Sequence, residues 1–227
     1  MSTVLISPRR AAVAVITAAV IAAAALGSSA SISSASAAPR IAGSVSPKAL
    51  AFQNGMRALW QAHGTWTERA IVDFVGGLPD TKLVIGRLLQ NQTEIGNAVK
   101  PYYGAKGGDE LTTLLKAHIN DAVAVLEAAK SGNASATAKA KAKAAFYANG
   151  NQVASFLHTA NPSHWTLGAM QTMMRIHLNQ VVALAVDQLK GHYPAAISLY
   201  GVYINHILDM ADMLSSGIIQ QFPARFS

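Results

Sequence analysis

The chain has no cysteine in its 227 residues. That absence excludes a disulfide framework and a cysteine nucleophile, so stability must come from packing. Strand signals are missing too: there is no sustained apolar–polar alternation and no Asn-Gly turn between β-branched runs. Enzyme signatures are equally thin. No glycine-rich phosphate loop is followed by Lys-Ser/Thr, and there is no Gly-x-Ser-x-Gly elbow and no HExxH. No helix carries the Glu-x-x-His pair of di-iron bundles.

What is present begins with an address. Arg9 and Arg10 precede an uncharged apolar run, Ala11 to Leu26, then GSSASISSASA. Ala35-Ser36-Ala37 fits a signal peptidase cut after Ala37, so residues 1–37 are expected to be a signal peptide. The run is shorter than the roughly 20 residues a spanning helix needs. The mature form is therefore expected to be exported, secreted or in the envelope, and not membrane-spanning. No cysteine at the cut excludes a lipoprotein anchor. Cleavage would leave 190 residues with 16 Lys+Arg against 11 Asp+Glu, a charge of +5. That is one domain, with a linker over 38–47 and a helical body over 48–227.

From Lys48 onward the apolar spacing is helical throughout. Six helices are expected: 48–74, ended by Gly76-Gly77; 80–100, capped by Asp80 and stopped by Pro101 and Gly104; 109–130, capped by Asp109; 134–158; 163–190, opened by Ser163; and 194–221. Asn149-Gly150 reads as a weak point in the fourth. Lys139, Lys141 and Lys143 alternate with alanine, which spreads charge around a helix, and no aromatic residue is interleaved, so no nucleic acid is expected as a partner.

An internal pattern stands out. Leu59-Trp60-Gln61-Ala62-His63, Leu114-Leu115-Lys116-Ala117-His118 and Met173-Met174-Arg175-Ile176-His177 begin alike, and glycine follows each histidine 14 residues on, at Gly77, Gly132 and Gly191. The returning segments align as well: Leu88-Leu89-Gln90-Asn91, Phe146-Tyr147-Ala148-Asn149 and Tyr203-Ile204-Asn205-His206. After each comes a second polar group, Glu94, Gln152 or Asp209, and then Asn97, Ser155 or Asp212. The unit is a helical hairpin, and the chain reads as an all-α six-helix bundle of three such hairpins.

Asp209 and Asp212 lie in an apolar helix, where an unpartnered buried carboxylate is costly. Their nearest partners by pattern are His63, His118, His177 and His206, with Glu94 at the matching place. Histidines and carboxylates from facing helices would suit a divalent metal such as zinc, iron, manganese or copper. A small organic ligand is the neighbouring reading, with Trp60, Trp66, Arg69, Asn91, Asn97 and Asn149 around it. The bland alternative is a satisfied polar network that fixes helix register. Met170, Met173 and Met174 suit core filling, and His158, His164 and His192 suit helix ends.

The motifs LWQAHGTWTERAI, LPD followed by RLLQNQTEIGN, PYYG, LLKAH, FLHTANP and MADMLSSGIIQQFP resemble those of a family of small all-helical bacterial proteins whose function is not settled. Labels such as glycosyltransferase or acetylglutamate kinase have been attached to members, but no nucleotide-binding βαβ unit is visible here. The resemblance implies a helical fold after about Leu59 and brings no catalytic residue.

Overall fold

The computed structural model describes residues 46–227, so the expected signal peptide and nearly all of the linker lie outside the described residues. Five helices form a closed bundle: α1 (Pro47–Gly76), α2 (Thr81–Lys130), α3 (Ala136–Ala160), α4 (Leu167–Leu189) and α5 (Tyr193–Gln221), with a short 3-10 turn at Pro223–Arg225. There is no strand among the described residues. Each helix packs on the next, α5 returns to α1, and α4 also touches α1. None of these helices is long and apolar enough to cross a membrane.

The helix starts follow capping chemistry. Ser46, Ser135 and Thr166 accept hydrogen bonds from Ala49, Ala138 and Ala169, respectively, satisfying amides that a helix start leaves open. Pro47 occupies the first turn of α1, where its missing N–H is harmless. Gly77 ends α1 at φ 68, in the left-handed region.

Five helices stand where six were expected, because the segments 80–100 and 109–130 are the two arms of α2. Pro101 lies inside that element, and the break falls at Gly104, whose φ of 73 and ψ of 173 are not helical. The arms fold back on each other. A Cβ on Gly96 would stand 2.6 Å from the Gly108 carbonyl, whereas twelve residues of straight helix span about 18 Å. Two expected caps also change. Asp80 makes no side-chain cap bond and instead meets Arg69 at 3.0 Å, while Asp109 pairs with Lys100 at 2.6 Å. Ser163 does not open a helix: residues 162–165 form a turn, and α4 begins at Leu167. That turn buries Trp165 against Gly217, where a Cβ would lie 2.1 Å from the indole nitrogen.

Asn149-Gly150 does not weaken α3, which is continuous through it. Gly150 lets Leu178 approach to 2.9 Å of where a Cβ would stand, and Asn149 is buried in the core. At one end of the bundle Tyr102 stacks on Phe226 and meets Phe52 and Phe222. Ser46 donates to the Phe226 carbonyl and Lys48 to that of Ser227 at 2.6 Å, so residues 46–48 and the last two residues are tied together.

Candidate functional site

Three histidines from three helices meet in the bundle centre. His63 (α1), His118 (second arm of α2) and His177 (α4) are each no more than 3% exposed. The His177 ring lies 5.7 Å from His63 and 5.6 Å from His118, centre to centre. Aromatic rings close the layer: Phe146 stacks on His118 at 4.8 Å, Tyr203 on His177 at 5.7 Å, and Trp60 meets His63 edge-on at 5.6 Å.

One helical turn before each histidine, a backbone carbonyl accepts a second bond from a returning helix. Asn91 donates Nδ2–H to Leu59 O at 3.1 Å, Asn149 to Leu114 O at 3.2 Å, and His206 its Nε2–H to Met173 O at 3.2 Å. Each donor occupies the place its segment's alignment gives it. Side chains then set two of the three imidazoles. The Asn149 carbonyl oxygen accepts from His118 Nδ1–H at 3.0 Å, which leaves the His118 Nε2 lone pair free. Gln92 donates its amide to His63 Nδ1 at 3.1 Å and also reaches Leu88 O and Asn91 Oδ1.

The rings are neutral. Burial holds the His63 pKa down to about 3, with the neighbouring His118 lowering it further. Burial takes His118 to about 4, against the opposing bond from Asn149. His177 lies well below the usual imidazole range, from burial first and then from His118, His63 and His206. Burial also raises the Tyr203 phenol.

The polar satisfaction is incomplete, however. His177 Nδ1, Trp60 Nε1, Gln92 Oε1, Thr67 Oγ1 and the Tyr203 hydroxyl are buried without a hydrogen-bond partner. Two apolar cavities of about 30 Å³ each flank the layer, and all three histidines line both. Each cavity has room for one or two water-sized bodies. Organic ligand pockets run to several hundred Å³, so a small organic molecule does not fit the centre as it is packed.

The other expected site residues separate from this layer. Asn91 and Asn149 are buried within it, Trp60 lines a cavity, and His206 is half-buried at its edge. The carboxylates stand apart. Asp209 is exposed, Asp212 is half-buried and paired with Arg57, and Glu94 is paired with Arg87 at 3.1 Å. Asn97 and Gln152 are exposed. Trp66 lies half-buried under the Arg87 guanidinium at 5.7 Å. Arg69 is exposed and binds both oxygens of Asp73, at 2.6 and 2.7 Å, as well as Asp80. Among the described residues, no three His, Asp or Glu side chains stand together in an arrangement that would hold a metal ion.

Sequence reasoning missed Gln92 and Asp73, both fully buried. Each left a signal. Gln92 falls on the stripe Leu88, Gln92, Ile95, Val99, and an amide on such a stripe needs a partner in the core. Asp73 follows Arg69 by four residues, the spacing of a helical ion pair. Comparison of the chain with protein-family models, with curated proteins and with solved structures finds no match. The site is therefore read from its own chemistry.

Proposed function

We propose that the histidine layer is a binding centre for one metal ion, in an exported helical-bundle protein. The observation that carries this reading is the unpartnered His177 Nδ1, beside a cavity of about 30 Å³ lined by three neutral imidazoles. Buried polar groups without partners call for an explanation, and an ion is one such explanation. The cavity size favours an ion over an organic ligand. Export is supported by the leader-like residues 1–37.

The equivalent bonds from Asn91, Asn149 and His206 support reading the chain as three hairpin units. The first two units join end to end within α2. Each would present one histidine to the shared centre, and each returning helix would lock its partner by the carbonyl one turn earlier.

A second reading has its own observation. His63 and His118 already hold amide partners, as a layer that only fixes helix register would require. Elemental analysis and thermal melts with added zinc, manganese, iron(II) and copper separate the two. Stoichiometric metal and a raised melting temperature support the binding centre. A protein that takes up none of these ions, with an unchanged melt, establishes the register role.

A further inference from the structure

We infer that the ion this centre takes is monovalent and soft, namely cuprous copper, held by imidazole nitrogen together with methionine thioether. The inference rests on the metal reading above and names the chemistry of that same site.

Three observations carry it. The first is the sulfur. Four of the seven methionines, Met56, Met173, Met174 and Met210, line the one cavity that Trp60 and the three histidines also line. Thioethers select copper(I) over the harder divalent ions, and imidazole suits copper as well. The sequence alone assigned Met173 and Met174 to packing, because nothing in their spacing showed that other methionines would face them from α1 and α5.

The second is charge. No carboxylate reaches the layer: Asp209 is exposed, and Glu94 and Asp212 are held by arginines outside it. With only neutral donors, the guest keeps its whole charge in an apolar interior. The cost of burying an ion rises with the square of its charge. A monovalent ion therefore pays roughly a quarter of the desolvation a divalent ion of the same size would.

The third is the donor geometry. The bond from His118 Nδ1–H to Asn149 leaves Nε2 with a free lone pair, the arrangement by which a ligating imidazole is fixed through its other nitrogen. His177 Nδ1 is 98% buried by residue and unpartnered. His63 is engaged by Gln92 and is not needed. Copper(I) is satisfied by two or three ligands, so His118, His177 and one thioether suffice. The centre thus does not require three histidines around a single point, an arrangement the described residues lack.

The test is an anaerobic titration of the purified protein with copper(I) against a chromophoric chelator, with zinc(II) and manganese(II) titrated in parallel. X-ray absorption at the copper edge reads the ligands. Met173→Leu/Met174→Leu keeps the core volume nearly constant, and its metal-free melt shows that it folds. One equivalent of copper(I) with a sulfur scatterer is expected, weakened at least about tenfold in the double variant, the lower bound for disturbing even an outer-shell group. Copper(I) binding that the variant leaves unchanged, with no sulfur scatterer, overturns the thioether assignment. Tight zinc(II) or manganese(II) binding without copper(I) overturns this inference and leaves the metal centre standing. No uptake of any ion removes both.

Discussion

In the bundle interior, three imidazoles lie under aromatic rings and are at most 3% exposed. On the outer side of the same returning helices, Gln152 and Asp209 are exposed and Glu94 is half-buried against Arg87, although the alignment places them only three residues after Asn91, Asn149 and His206. Histidine and carboxylate were expected to meet, and helix geometry separates them. At 3.6 residues per turn, a step of three falls about 60° short of a full rotation. A track at i, i+3 and i+6 therefore turns by about 120° from its starting face. The buried stripe of α5 alternates steps of four and three, through Tyr203, Ile207, Met210, Leu214 and Gly217. Asp209 and Asp212 leave that stripe.

The sharpest way to break this contrast is acid. His63 and His118 are neutral in the fold, with pKa values of about 3 and about 4 against 6.5 in an unfolded chain. Between pH 6.5 and about 4 the unfolded state binds more protons, so stability is complete above 6.5 and lost as pH falls through that window. The slope is about 1.4 kcal/mol per pH unit for each ring, or roughly 3 kcal/mol for the two together. By pH 4 the loss reaches roughly 7 kcal/mol, enough to unfold a domain at the lower end of the ordinary range of roughly 5–15 kcal/mol. Urea midpoints of the metal-free protein, measured from pH 8 to pH 4, should be flat at first and then fall steeply. A flat profile down to pH 4 would mean that the histidines are not buried neutral in solution.

How much of this was legible beforehand follows from which interactions are local. The helix starts near residues 48 and 134 and the stop at Gly77 follow from short-range spacing, the convergence of the three histidines follows from the repeated pattern, and the structure agrees with each. In sequence the reversal at Gly104 is indistinguishable from an end followed by a new start, because Pro101, Gly104 and Asp109 look the same either way. The burial of the carboxylates was inferred from the apolar composition of α5. Apolar residues need not be buried, and Ile197 and Val202 of that helix are 72% and 56% exposed. The methionine-lined cavity was beyond reach, since its four sulfurs come from α1, α4 and α5.

A second, smaller effect sharpens the comparison within one helix. Asn149 bridges His118 Nδ1 and the Leu114 carbonyl, while Gln152 three residues later is exposed. Asn149→Leu leaves a buried donor unpaired and removes the second bond, at about 2–4 kcal/mol. Gln152→Leu should change stability by no more than about 0.5 kcal/mol. Chemical denaturation of the two variants measures this difference directly. Equal effects would remove the distinction between the two tracks.

The smallest effect belongs to the residues that looked most functional in the sequence. Asp209 is exposed, so Asp209→Asn should shift stability by about 0.5 kcal/mol or less. Asp212 holds Arg57 with both side chains 40% or more exposed, and such surface pairs contribute about 0–1 kcal/mol. Asp212→Asn should therefore cost less than about 1 kcal/mol, and less again in high salt, where exposed pairs are screened. Neither change touches a group in the histidine layer, so the acid-unfolding profile and any bound ion should persist in both. Parallel melts at low and high salt, with metal content measured on the same samples, decide it. Loss of a bound ion in either asparagine variant would show that the carboxylates reach the centre in solution. The interior and the outer flank would then be one site, and copper(I) would lose its charge advantage over a divalent ion.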